Sequence, residues 1–277
     1  THLVNSLSNA AFAAFSPIER GLAAMADIPL ARLQGRARAR FFSEVPADAA
    51  GALSGIPEGV RAALRTLRDG ITPAQASKWE FRRTAFPGLP GRIIRLPGTM
   101  LEAADSLFYA INYRAALNAS IVRQARAEKL VGAKLLDRIA DLKLEPSAAL
   151  IKQATKTAEY RLFRAEPGKI TGSLMGARDA IPGARFVLPF LRTPGNLLSA
   201  GLERSPFGLA NPSLWRNVAN KSPEASDQIA RLLLGSGVAA GMGALVANGT
   251  IDITAAAPTS AAARDRFYRE GKLPFAI

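Results

Sequence analysis

Cysteine is absent from the 277-residue chain, and histidine occurs once, at His2. Without cysteine there are no disulfides and no thiolate metal sites, although compartment stays open. With one terminal histidine, a His-based catalytic triad has a single candidate and no second element to orient it. The phosphate loop G-x-x-x-x-G-K-[S/T] and the metal helix H-E-x-x-H are both missing. So is any Glu-Ser dipeptide, which surrounds the catalytic acid of many lytic transglycosylases. No enzymatic activity, metal or cofactor is expected within these residues. Aromatics supply only 7% of the chain, and no stretch shows the sustained alternation of β-branched residues that a sheet requires.

What is abundant is alanine, leucine and arginine, all good helix formers. The expected fold is all-α: an extended multi-helix array with Pro/Gly connectors and little or no sheet. The formal net charge of +14 divides into +8 for residues 1–135 and +6 for 136–277, so no isolated basic tail carries it. Such a charge draws polyanions: nucleic acid, an anionic membrane surface or an acidic partner protein. The chain begins at Thr1, and Leu3 to Phe15 lacks the basic region of a signal peptide. Truncation, processing or derivation from a longer chain would each account for that start.

One stretch dominates. Between Thr99 and Glu145 there is no proline, and the only glycine is Gly132. Thr99 and Glu102 form a capping box, preceded by the helix-breaking Pro97-Gly98, and Pro146 supplies the next hard stop. A single helix over about 99–145 would span on the order of 65–70 Å. Elsewhere a capping residue precedes proline six times: Ser16-Pro17, Thr72-Pro73, Thr193-Pro194, Ser205-Pro206, Asn211-Pro212 and Ser222-Pro223. Proline at the first helical position costs no hydrogen bond, so each pair predicts a helix start. Helices are thus expected at 17–27, 29–42, 47–53, 57–69, 73–84, 147–164, 194–204, 212–220, 223–248 and 261–270. Segments 86–98 and 166–195 read as Pro/Gly connectors. The break at Glu145-Pro146 allows either an antiparallel hairpin or a kinked continuation. Three regions follow: 1–85 of short helices, 86–165 of connector, long helix and its successor, and 166–277 ending in a glycine-rich helix and an amphipathic one.

Three groups of residues are candidates for function. Leu232 to Ala247 carries no charge. Gly237 and Gly241 form G-x-x-x-G, with Gly243 adding a further small residue, and Leu232, Leu233, Leu234 and Leu245 supply apolar surface. The pattern suits close helix packing or membrane contact, although about 20 apolar residues are needed to span a bilayer. Arg32, Arg36 and Arg40 recur every four residues and are expected on one helix face. Arg82, Arg83, Arg92 and Arg95 crowd the connector. These arginines would contact phosphates without sequence preference, or an acidic partner, or remain a solvated surface. Phe108, Tyr109, Ile111 and Tyr113 on the long helix, with Trp79 and Trp215, are expected in the core or at a subunit contact.

Three segments in order resemble a known family. R-L-P-G-T-M-L-E-A-A-D-S-L-F-Y-A-I-N-Y-R-A-A-L (95–117) is similar to an R-L-P…A-x-D-x-F-F-K-x-L-N-Y-R block. F-V-L-P-F-L-R-T-P-G-N-L-L-S-A-G-L-E-R-S-P (186–206) resembles P-F-x-R-T-P-x-N-I-L. The run from L-L-G-S-G (233–237) through N-G-T-I-D-I-T (248–254) to R-D-R-F-Y-R-E-G-K-L-P-F-A-I (264–277) resembles a glycine-rich helix followed by G-x-I-T-G and G-W-x-P-Y-S-I. Ala255 stands where glycine is usual, and Lys272-Leu273 where Gly-Trp is usual. The family is the internal virion, or ejection, proteins of podovirus-like tailed phages. The resemblance covers about residues 86–277. It implies a multi-copy virion protein stored in the capsid near the portal or tail, with itself and other virion proteins as partners. It further implies release into the host envelope with the genome, where a homo-oligomeric ring would help build a DNA-ejection conduit touching genomic DNA and the host inner membrane. The alternative is a basic helical nucleic-acid-binding or portal/tail-associated protein without a membrane role.

Overall fold

The computed structural model describes residues 2–69, 88–166, 172–173, 175–176, 192–252 and 254–274. Among them there is no strand, and the fold is all-α. The helices are α1 (His2–Gln34), α2 (Glu44–Asp69), α3 (Gly88–Ala127), α4 (Gly132–Leu144) and α5 (Ala148–Arg161). They are followed by α6 (Arg192–Glu203), a 3-10 turn (Pro206–Ala210), α7 (Pro212–Ala219), α8 (Glu224–Ala247) and α9 (Ala261–Arg269).

The centre of the fold is an antiparallel pair, α2 against α3. Gly51, Gly55 and Gly59 recur every four residues on α2, and α3 lies directly on that glycine face. A Cβ at Gly51 would overlap the Arg114 carbonyl oxygen, one at Gly55 would sit 2.8 Å from Ile111 Cα, and one at Gly59 2.6 Å from the Leu107 carbonyl oxygen. Small residues let two backbones approach, and here three turns of helix use that licence in register. The far half of α3 then buries Ala116, Leu117, Ile121 and Ala125 with Leu135 and Leu142 of α4 and Leu150 and Ala154 of α5. α5 packs along α3, and α1 lies against α2, α3 and α8.

The single long helix over 99–145 does not form. α3 starts earlier, at Gly88, running through the 88–98 segment expected to be a connector, and it stops at Ala127. The break follows from Lys129 at φ 60° and Gly132 at φ 59°, left-handed conformations that no α-helix contains. α4 can thereby fold back onto α3. Ser147 caps α5 by accepting from the Leu150 amide, and α5 returns along α3, the hairpin alternative at Pro146.

Proline is also less disruptive than expected. Pro17 and Pro29 lie inside α1, and Pro57 inside α2, so the four short helices expected over 17–69 are two long ones. Ser16 is consequently no helix cap. Its hydroxyl is buried and donates to Asp48 at 2.5 Å. A proline inside a helix costs roughly 3 kcal/mol, and here burial of the alanine faces of α1 against its neighbours offsets it. Asn211 does cap α7, accepting from the Ser213 amide at 3.0 Å, and α6, α8 and α9 lie within a few residues of their expected limits. The expected helix 73–84 and most of the connector 166–195 lie outside the described residues.

Candidate functional site

Charge is where structure and sequence diverge most. Arg32, Arg36 and Arg40 do not share a helix face, because α1 ends at Gln34. Arg32 is exposed, Arg36 pairs with Asp27 at 2.6 Å, and Arg40 is only 5% exposed. Its Nε and Nη2 hold both oxygens of Asp227, at 2.7 and 2.5 Å. Arg40 therefore fastens α8 to the α1–α2 connection and is no surface for DNA. Arg82 and Arg83 lie outside the described residues, as does Trp79, and the side chains of Arg92 and Arg95 are likewise outside them.

Arg40 belongs to a network of buried ions between α1, α2, α3, α5 and α8. Asp27, fully buried, accepts from Arg36, from Ser226 Oγ at 2.8 Å, and from the backbone amides of Ala39 and Arg40. Burial alone would raise its pKa, but these donors hold it below the usual carboxylate range. Glu44 accepts two bonds from Arg123, at 2.6 and 3.0 Å, and lies 3.4 Å from Arg20. Asp48 takes Ser16, Arg20 at 3.1 Å and Arg161 at 3.3 Å; Arg161 and Arg20 overcome burial and lower its pKa. Glu19 binds Arg204 at 3.0 Å and Arg231 at 3.1 Å. Glu203 receives Arg231 and the Tyr160 hydroxyl, the latter at 2.6 Å. Arg204 also lies over the Phe12 ring, and Arg231 over Tyr160. Sequence reasoning singles out only Glu19 of these carboxylates, and that as half of a capping box with Ser16, whereas both lie inside α1 and Glu19 pairs with arginines instead. The only signal is local: an acidic residue set among the apolar positions of a helix.

Three exposed surfaces remain. The first is α8 beyond its base. Asp227 and Arg231 anchor the helix, while from Gly237 to Ala247 every residue but Met242 is exposed. Gly237, Gly241 and Gly243 have open space where a Cβ would stand, so this small-residue face has no neighbour among the described residues. Leu232 and Leu234 are partly covered and Leu233 and Leu245 exposed. By length and composition α8 is long and apolar enough to cross a membrane, and almost none of its apolar stretch is buried. Of its glycines, Gly235 alone makes a close backbone approach, beside the Arg204 carbonyl. A second apolar stripe runs along α2, where Leu53, Ile56, Val60, Leu64 and Leu67 are all exposed.

The third surface is a depression of about 370 Å³ at the α1–α2 connection and the α3–α4 break. Arg38, Arg126 and Lys129 line it together with Phe41 and Phe42, and no carboxylate does. Arg38 stands over the Phe41 ring at 5.8 Å. Cations interleaved with exposed aromatics are the chemistry of single-stranded nucleic-acid binding, and none of these five residues is among the sequence candidates.

Of the aromatic candidates, Tyr109 and Tyr113 stack at 6.1 Å, Ile111 lies against Gly55, and Phe108 is partly buried. Trp215 is 56% exposed, its Nε1 donating to the Leu209 carbonyl, and so is not a core anchor. Among the described residues, no group of three or more His, Asp or Glu side chains is placed to hold a metal ion. Comparison with family models, curated proteins and solved structures finds no match.

Proposed function

We propose that this chain is a structural protein of a tailed-phage virion, ejected with the genome, that oligomerises to help form the DNA-ejection conduit across the host envelope. The observation that carries this reading is the α8 arm: an apolar helix rooted in ion pairs and, among the described residues, left bare beyond them. The three sequence segments that resemble ejection proteins support it, and the second of them leads into α6, which packs beside that root. The charge-free length, Leu232 to Ala247, is about 24 Å at 1.5 Å per residue, short of the roughly 30 Å hydrocarbon core that the whole of α8 would span. The arm therefore reaches into a bilayer or packs with copies of itself through Gly237 and Gly241, and the α2 stripe offers a second contact between subunits. An exposed apolar surface of this extent marks a protein or membrane interaction site.

Flotation with phosphatidylglycerol/phosphatidylcholine vesicles, paired with sedimentation velocity, tests it. The wild-type chain is expected to float or to form high-order rings, and Val238→Asp/Leu245→Asp to do neither while keeping its helicity. A strictly monomeric chain that ignores vesicles refutes it. Imaging of purified virions would show where the chain sits.

A second reading, a nucleic-acid-binding structural protein without a membrane role, is favoured by the groove at Arg38, Arg126 and Lys129. It predicts salt-sensitive binding of single strands. Replacing all three cations by serine frees three phosphates, each contributing roughly 0.7 to the slope of log K against log salt, so the slope should shrink by about 2.

A further inference from the structure

Within the ion network is a half-open pocket of about 80 Å³ between α1, α3, α5 and α8. A single water needs about 10–15 Å³, so the space holds several waters or one small polyatomic ion. Four guanidinium groups line it, Arg20, Arg123, Arg161 and Arg231, against two carboxylates, Glu19 and Asp227. Arg20, Arg123 and Arg231 each commit two nitrogens to carboxylates outside or at the rim. Arg161 has only Asp48, at 3.3 Å, and its Nη1 is buried with no hydrogen-bond partner, although the residue is just 8% exposed.

The charge count points the same way. The hydrogen-bonded groups around the cavity comprise six arginines (20, 40, 123, 161, 204 and 231) and five carboxylates (19, 44, 48, 203 and 227). One cation is in excess. A buried guanidinium with an idle arm, sharing its one ion-pair partner Asp48 with Arg20, is a costly arrangement, and folded proteins compensate it. Arg123 reports the same field: burial, with Arg40 and Arg20 beside it, lowers its pKa despite Glu44.

We propose that the cavity binds one free tetrahedral oxyanion of phosphate size, held by Arg161 Nη1 and the facing arms of Arg20, Arg123 and Arg231. The planar fork of arginine matches oxyanion geometry, whereas a spherical halide would use it poorly. The volume admits the ion itself and little more, which fits inorganic phosphate or sulfate held wholly inside the pocket. Its entry lies at Gln153 and Thr157 on the solvent side of α5, the most open part of the lining. Bound there, the ion would tie the root of α8 to α1, α3 and α5. This inference does not depend on the ejection reading.

The test is titration of inorganic phosphate into the full chain by calorimetry, at ionic strength matched with sodium chloride, alongside thermal melts. Saturable one-site binding and a melting temperature that rises with phosphate but not with chloride are expected. Arg161→Lys keeps a cation beside Asp48 and removes the idle arm; it should weaken binding at least tenfold. Thr157→Leu, which narrows the entry without removing an ion pair, should slow or abolish uptake. No saturable heat in the wild-type chain, with equal melts in the two salts, overturns the proposal and leaves a cavity filled by water. Binding unchanged in Arg161→Lys overturns it as well, by placing the anion elsewhere on the basic surface. Thr157→Leu leaves every ion pair in place, so it tests the site even where Arg161→Lys fails to fold, and unchanged binding in Thr157→Leu also overturns the proposal.

Discussion

Replacing Gly51 by alanine tests the helix pair on which the fold rests. Alanine is the better helix former by about 1 kcal/mol, so propensity alone predicts a more stable protein. The structure predicts the reverse. The new methyl would overlap the Arg114 carbonyl oxygen and lie 2.8 Å from Ala115 Cα and 2.9 Å from the Arg114 carbonyl carbon. All three are backbone atoms, which cannot rotate aside, so α2 and α3 must move apart and loosen their packing at Gly55 and Gly59. Overpacking costs typically 1–3 kcal/mol, and the rigid neighbour places this case near the upper limit. After the propensity gain, a net destabilisation of about 2 kcal/mol remains. Gly98→Ala on α3 is the matched control: a Cβ there meets nothing within 4 Å, so it should gain up to about 1 kcal/mol. Urea denaturation followed by circular dichroism would show the midpoints moving in opposite directions at unchanged slope. If Gly51→Ala is as stable as the wild type, or if both variants shift the same way, the close α2–α3 approach is refuted.

Asp227→Asn removes the carboxylate that holds both arms of the buried Arg40; breaking one partner of such a pair costs about 3 kcal/mol, visible as a lower melting temperature. The carboxylates Glu19, Asp27, Asp48 and Asp227 all have lowered pKa values in the fold. In the unfolded chain they bind protons at higher pH, so the stability they supply is present above about pH 4 and is lost as pH falls through their folded values. Thermal melts from pH 7 to pH 3 should therefore stay level and then drop, less steeply in Asp227→Asn; melts that rise on acidification would contradict the network.

The all-α class is legible because it rests on local quantities: helix-forming composition, caps at Ser147 and Asn211, and the absence of any period-two pattern. The charge-free face of α8 is legible for the same reason, since sixteen residues without a charge are a property of the chain itself. Gly132 is visible as the one glycine in the long stretch, but a glycine permits a left-handed residue without requiring one. The three glycines of α2 are equally visible in the sequence, yet their four-residue spacing acquires meaning only when another helix lies on it.

By itself, then, the sequence determined that this protein is helical, basic and rich in small residues, and that its final long helix is apolar. These follow from each residue's own propensity and solvation. Tertiary structure decided which charges are inside. Arg40 and Asp227 are 187 residues apart in the chain and 2.5 Å apart in the fold, and no local rule distinguishes them from the exposed Arg38. It also decided that Pro17, Pro29 and Pro57 sit within helices, because packing of whole faces outweighs a few missing hydrogen bonds. And it decided that the α2 glycines are covered while Gly237, Gly241 and Gly243 of α8 have no neighbour among the described residues. Intrinsic preferences act residue by residue, whereas burial and ion pairing are settled only when distant helices meet.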